Sequence, residues 1–154
     1  MSDTDRLIQH AREAALKAYA PYSGFSVGCA IESVGGEIAV GANMENACYR
    51  LGVCAEIAAL TAANQSFGLD RVARIAVVGG AVGPDGALTG EMVVTSCGGC
   101  RQSILEAAQL SGRDVVMISS NGAGSEVDVR TISELLPLGF GPANLADAEP
   151  TGDT

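Results

Sequence analysis

Apolar positions recur at helical spacing near the start of the chain: Leu7, Ala11, Ala14 and Ala18 form one stripe, with Ile8 and Ala15 beside it. The spacing predicts a helix over residues 4–19, capped by Ser2, Asp3 or Thr4 and stopped by Ala20-Pro21. The period then shortens to two. FSVGCAIE (25–32) alternates as a strand does, Gly35-Gly36 supplies a hairpin turn, and EIAVGA (37–42) is the return strand. An alanine-rich run from Val53 to Phe67 reads as a second helix ending at Gly68. RIAVVGG (74–80) is continuously apolar and bounded by glycine, as in a strand covered on both faces. Residues 81–90 (AVGPDGALTG) are turn-rich, RQSILEAAQLSG (101–112) is a third helix with Gly112 as its stop, and DVVMIS (114–119) is another buried strand. Beyond the NGAGSE loop, EVDVR is a short polar strand, and Thr131-x-x-Glu134 is a capping box opening a last helix, TISELL.

Strands separated by helices imply an α/β domain with three α/β/α layers and a mostly parallel sheet, made mixed by the opening hairpin, with five strands in all. No repeat or interdomain linker interrupts the pattern. Residues 1–146 read as a single domain, and the acidic tail from Asp147 to Thr154 is expected to be disordered. A chain of 154 residues can bury roughly 70% of its unfolded surface, so it needs neither metal nor disulfide merely to fold.

Nine basic residues against 18 acidic ones give a net charge of −9. Lys17 and the eight arginines are scattered singly, so no basic stripe exists to neutralise a phosphate backbone. Nucleic-acid and anionic-membrane partners are therefore disfavoured, and a neutral or cationic small molecule fits better. There is no run of about 18 apolar residues to span a membrane. The charged N-terminus lacks a secretory layout, which leads us to expect a cytoplasmic protein. Thiols stay reduced in that compartment, so five cysteines point to metal, catalysis or packing rather than to disulfides.

Cys54 in CAE, and Cys97 and Cys100 in CGGC, stand at predicted helix starts, where partial positive charge and unpaired N–H groups favour thiolate. Three sulfur ligands with one open position make a catalytic rather than a structural zinc site. His10, on the first amphipathic helix, reads as a solvated surface residue, and Cys29 and Cys48 as packing residues. Glu56 follows Cys54 by two, so on the first helical turn it can approach the metal without binding it and move protons. Its alternative reading is a glutamate that merely complements the helix dipole. A Cys-x-x-Cys alone also fits redox motifs, which leaves a non-catalytic zinc or dithiol module open. Cys-x-Glu followed by Cys-x-x-Cys is more specific, because it matches the general signature of zinc deaminases.

Four blocks, AYAPYSGFSVGCA (18–30), GANMENACYRLGVCAE (41–56), SCGGCRQ (96–102) and ELLPLGFGP (134–142), together resemble the small homotetrameric cytidine deaminases in order and spacing. The resemblance implies one zinc ion per subunit on Cys54, Cys97 and Cys100, with Glu56 shuttling protons. It implies that Asn43 and Glu45 hydrogen-bond the ribose 3′-hydroxyl, and that Phe25 lines the pyrimidine site. The backbone N–H of Ala55 would hold the 2-oxo atom, and Phe140 would be donated to a neighbouring subunit's active site. The implied reaction is hydrolytic deamination of cytidine and deoxycytidine to the uridines with release of ammonia, as in pyrimidine salvage. A modified cytosine nucleoside or related aminopyrimidine is the alternative substrate. Two positions depart from the family pattern. Ile57 stands where an arginine usually compensates the thiolates, and Ser96 where a proline usually precedes the Cys-x-x-Cys. Arg101 or backbone N–H groups are the expected source of replacement compensation.

Overall fold

Ser2 opens helix α1 (Asp3–Ala15) with a reciprocal cap in a computed structural model that describes residues 1–146. Its hydroxyl accepts the Asp5 N–H at 3.1 Å, and its own N–H donates to the Asp5 carboxylate at 2.9 Å. The tail expected to be disordered, residues 147–154, lies outside the described residues. The helix ends four residues before the expected limit, and Pro21 is not what stops it. The N–H groups of Lys17 and Ala18 fold back onto the carbonyls of Ala14 and Ala15, tightening the last turn. Tyr19 is then drawn away by backbone pairing: its N–H donates to Asn43 O at 3.0 Å, and its carbonyl accepts the Glu45 N–H at 2.8 Å.

Strands β1 (Ser26–Ser33) and β2 (Ile38–Ala42) form the expected hairpin. Helix α2 (Ala55–Ser66) leads to β3 (Val72–Val82), which is longer than the predicted strand at both ends. Part of the supposed loop after it folds back as β4 (Leu88–Thr89), pairing Ala81 with Thr89 and Val82 with Leu88. Helix α3 (Gly98–Ser111) starts three residues earlier than predicted and ends at Gly112, whose φ of +64° suits glycine. Then come β5 (Val116–Asn121), β6 (Val127–Thr131), α4 (Ile132–Leu135) and a one-turn α5 (Pro142–Leu145) that the apolar pattern did not reveal. Strand β5 begins two residues late. The 114–115 segment serves α4 instead: Asp114 accepts the N–H and hydroxyl of Ser133, and Val115 O accepts the Ile132 N–H.

The main sheet runs β2-β1-β3-β5-β6, with β4 attached to β3. It is mixed, as expected, but it is not mostly parallel. Only β3 and β5 pair in parallel; β1–β2, β1–β3 and β5–β6 are antiparallel. The crossover through α2 carries the chain over β1, so β2 and β3 share a direction with an opposed strand between them. Strands β2, β3 and β5 therefore point the same way, and the segments leaving β2 and β3 deliver the N-termini of α2 and α3 to one end of the sheet.

Alternation along the strands builds two cores. Ala30, Ala76, Val78 and Ile118 face α1, meeting Leu7, Ile8, Ala11 and Ala15. Cys29, Ile31, Ile75, Val77 and Met117 face the other way, against Ala59, Leu60 and Ala63 of α2 and Ile104, Ala107 and Ala108 of α3. The three α/β/α layers follow. The packing is close enough to need glycine at two points: a Cβ on Gly28 would overlap the carbonyl of Ala11 and the amide nitrogen of Ala15, and one on Gly41 would run into Ala59 N. Glu32 pins the far end of the α1 layer, accepting Arg6 at 2.6 Å and Arg74 at 3.1 Å. Among the described residues, no helix is long and apolar enough to cross a membrane.

Helix α1 rests directly on the sheet backbone at Gly28, so Gly28→Ala is expected to lose about 1–3 kcal/mol by overpacking, measured by urea unfolding. Wild-type stability in this variant would show that α1 can lift without cost.

Candidate metal centre and active site

Cys54 and Cys97 occupy the same position in two helices. Each is the N-cap residue, with extended backbone, of α2 and α3 respectively, and neither side chain makes a capping hydrogen bond. Cys100 lies one turn into α3 and is buried. The parallel placement of the two helix starts brings the three sulfur atoms within 4.8 Å of one another.

Electrostatics distinguish the three thiols. Cys97 is held below the ordinary thiol range, chiefly by the backbone N–H of Cys100, with further help from the Cys100 and Cys54 thiols and the Gly99 N–H. Burial pushes Cys54 up, and the negative charges of Cys97 and Glu56 add to the rise. Cys100 is raised furthest, again first by burial and then by Glu56. Three thiols crowded beside a buried carboxylate are a poor arrangement for a bare protein and a good one around a divalent cation. Tetrahedral zinc, with Zn–S bonds of about 2.3 Å, spaces its sulfurs about 3.8 Å apart, and three thiols whose sulfurs all lie within 4.8 Å of one another can close on such an ion with small side-chain adjustments. The fourth side is open: Cys54 and Cys97 line a cleft of about 380 Å³ with Val27, Asn43, Glu45, Ala55, Glu56, Val94 and Thr95.

Glu56 enters that cleft from the first turn of α2 and is only 4% exposed. Its charge is felt at Cys54, Cys100 and Cys29. Ala55 is the first residue of α2, so its N–H has no partner within the helix, and it also lines the cleft. Asn43 and Glu45 are present too, but they already do structural work. The Asn43 amide donates to Phe25 O at 2.9 Å and accepts the Val27 N–H at 2.8 Å. Glu45 accepts the N–H groups of Tyr22 and Ser23 and the Ser23 hydroxyl. An amide offers four hydrogen-bonding sites and a carboxylate about four, so each keeps capacity for a ligand. The Ser23 hydroxyl and the two N–H groups hold the Glu45 carboxyl below its usual range.

The two phenylalanines are less central. Phe25 is 43% exposed and is not among the residues lining the cleft; it stands beside it, since a Cβ on Gly79 would lie 3.1 Å from its ring and from the cleft residue Val94, and 3.2 Å from Val27. Phe140 is 61% exposed and lines no part of its own chain's cleft. His10 is half-buried on α1, across the sheet from the cysteines, rather than fully solvated. Cys29 is fully buried as expected, whereas Cys48 is exposed and corrects the reading of it as a packing residue. Its N–H donates to Asn46 Oδ1 at the start of a short 3₁₀ turn over Tyr49–Leu51, which keeps the side chain outside the core. Thr95, Val27 and Val94 were not foreseen as cleft residues. Their only sequence signal is adjacency to the cysteine motif and to Phe25.

Arg101 does not compensate the thiolates. Its Nε donates to Ser96 O and its Nη1 to Leu135 O, both at 2.9 Å. Compensation at Cys97 comes from backbone N–H groups of the α3 start, the other source expected. Ile57 points into a groove between α2 and α3, beside Leu60, Thr61 and Gln102, not into the cleft. Ser96 is 3% exposed, and its hydroxyl has no partner among the described residues.

Comparison with known proteins agrees with this geometry. The family model "Cytidine and deoxycytidylate deaminase zinc-binding region" matches residues 1–118. A cytidine deaminase of Halalkalibacterium halodurans is 39% identical over 94% of this chain and 99% of its own length. One of Mycobacterium tuberculosis is 35% identical over 90% of each chain. Among solved structures, a cytidine deaminase from Burkholderia pseudomallei superposes with a TM-score of 0.74 at 37% identity, covering 91% of this chain and 100% of that one.

Two outcomes follow from the site. Cys54 and Cys100 are held protonated when no metal is bound, so zinc must displace their protons. Retention against a chelator should therefore strengthen from about pH 6 to about pH 8, and stripping the metal should lower the melting temperature. Ser96→Ala removes an unpaired buried hydroxyl and should gain about 1 kcal/mol in denaturant unfolding without changing zinc content. A loss of stability would mean that the hydroxyl has a partner after all.

Proposed function

The chain belongs to the zinc-binding cytidine and deoxycytidylate deaminase family, and from that membership we propose that it hydrolyses free cytidine and deoxycytidine to the uridines, releasing ammonia. The observation that carries this reading is the buried Glu56 sharing one cleft with the three-cysteine cluster. Zinc held by Cys54, Cys97 and Cys100 supplies Lewis acidity, which brings the pKa of water down towards about 7. Glu56 accepts the proton of the attacking water and delivers it to pyrimidine N3. As oxygen bonds to C4 and the amine departs, Glu56 carries the second proton to the leaving nitrogen, so that one water is consumed for each ammonia released. The Ala55 N–H binds the 2-oxo atom. Asn43 and Glu45 use their remaining hydrogen-bonding capacity on the ribose 3′-hydroxyl, and Phe25 borders the pyrimidine. Residues 1–146 form the catalytic unit.

A free nucleoside suits the cleft better than a nucleotide. No lysine or arginine is among the described residues that line it, and Glu45 and Glu56 would repel a phosphate. The modified-nucleoside alternative loses one of its two motives, since Ile57 faces the groove between the helices. The working form is a cytoplasmic homotetramer acting in pyrimidine salvage, in which Phe140 reaches a neighbour's cleft and stacks on the base. Its exposure and its absence from its own cleft support that role.

Glu56→Gln should retain zinc but lose at least about a hundredfold in kcat, the scale of general acid–base catalysis. In an ammonia-release panel on zinc-quantified protein, cytidine and deoxycytidine should outrun cytosine, deoxycytidylate and modified cytidines. A zinc-replete Glu56→Gln variant with normal turnover, or free cytosine as the best substrate, would defeat the reading.

A further inference from the structure

The first turn of α3 reaches in two directions. Arg101 directly follows the ligand Cys100, and its two donating groups hold Ser96 O, the carbonyl just before Cys97, and Leu135 O, at the end of α4. Gln102 is next, and its Nε2 donates to Phe140 O at 2.6 Å. Adjacent side chains of one helical turn thus grip the cysteine loop and both ends of the 135–140 segment.

The rest of that segment lies against the same helix. A Cβ on Gly139 would come within 2.5 Å of Leu105 and 3.0 Å of Leu136, so the backbone there is flush with α3. One turn further on, Gln109 Oε1 accepts the Ala143 N–H at 2.8 Å. Between the anchors, Leu138 is fully exposed with φ +55°, a left-handed conformation unfavourable for a non-glycine residue. The segment keeps this shape because it is tied on both sides. Nothing about Phe140's own ring, which is mostly exposed, would otherwise fix it.

We infer that Arg101 and Gln102 are positioning residues that tie the geometry of the zinc loop to that of the Phe140 loop, so that a subunit builds its own metal centre and the aromatic it offers to its neighbour from one helical turn. The Gln102 half of this inference rests on the proposed role of Phe140; the Arg101 half rests on hydrogen bonds to the cysteine loop alone. A planar guanidinium can hold two carbonyls in fixed relation, whereas a lysine ammonium cannot reproduce that fork. Loss of the Leu135 arm frees α4 and its following loop, and loss of the Ser96 arm frees the approach to Cys97.

The test uses the full-length, zinc-loaded protein with Arg101→Gln, Arg101→Lys and Gln102→Leu variants. Zinc loss to a chelator, KM and kcat for cytidine, and melting temperature are measured on each. Arg101→Gln should shed zinc about ten to a hundred times faster, the usual effect of removing an outer-shell partner, and should also raise KM. Gln102→Leu should raise KM about threefold to tenfold, with kcat and zinc loss unchanged. If Arg101→Gln does not fold, Arg101→Lys carries the same test and should be intermediate in zinc loss. Wild-type zinc loss in a folded Arg101 variant, or an unchanged KM in Gln102→Leu, would overturn the coupling. Failure of the proposed function reads differently: the wild type would then not deaminate cytidine, while zinc loss would still report on Arg101. If Phe140→Ala leaves KM unchanged, the donated-aromatic role fails, and the Gln102 arm with it.

Discussion

Three sulfurs within 4.8 Å of one another, close enough to Glu56 to feel its charge, repel one another and the carboxylate once ionised, and the surrounding structure has to make that arrangement tolerable. In a bare protein, burial and mutual charge hold Cys54 and Cys100 in their neutral forms. Only Cys97, under the N–H groups of Gly99 and Cys100, is eased towards thiolate. A divalent cation reverses the balance for all three. At Cys97 the start of α3 serves in place of a side-chain cation, since backbone N–H groups are fixed by the helix and need no flexible arm to be ordered.

The need to bring two helix starts together explains the scaffold. Strands β2 and β3 must run the same way and end near each other although β1 lies between them, and the helices that follow must sit low on the sheet. Gly41 lets α2 approach until its backbone touches the strand, and the small side chains Ala55, Ala59 and Ala63 keep that side of the helix thin. On the opposite face Gly28 does the same for α1. The central sheet is thus clamped by backbone contact on both sides, which holds the end carrying the cysteines in register.

Much of this was legible in the chain because it is written in short-range patterns. Strand alternation at 29–31, the Gly68 and Gly112 stops and the Thr131–Glu134 box report local geometry, and all appear where expected. The cysteine cluster was legible for a different reason: few chemistries call for Cys-x-Glu and Cys-x-x-Cys at helix starts. Features set by tertiary contact were not legible. The end of α1 is fixed by Tyr19 pairing with residues 43–45, a contact with no local signature. Strand direction was misjudged because an alternation of strands and helices does not tell whether a crossover lands beside its starting strand or one strand beyond it. Of the two sources of compensation the sequence offers, Arg101 and backbone N–H groups, Arg101 neighbours the thiolates in sequence, but its side chain turns to the carbonyls of Ser96 and Leu135.

The hydrogen bonds of Asn43 and Glu45 tie part of the cleft lining to the neighbouring backbone. Asn43 bridges Phe25 and Val27, while Glu45 holds the Tyr22–Ser23 turn, so the residues assigned to the sugar also fix the loop that carries Phe25. A ligand that engages their spare hydrogen-bonding capacity meets groups whose orientation has already been set by the fold, and little additional ordering is required on binding. The consequence for substitution is asymmetric. Removing either side chain takes away a proposed sugar contact and also the hydrogen bonds that hold the backbone around Phe25, whereas changing Phe25 alone leaves both polar groups in place. Ile57 and Ser96 belong to neither set: one packs in the groove between helices and the other lies beneath the cysteine loop. Neither lines the cleft, so their departure from the family pattern leaves the cleft's own lining unchanged.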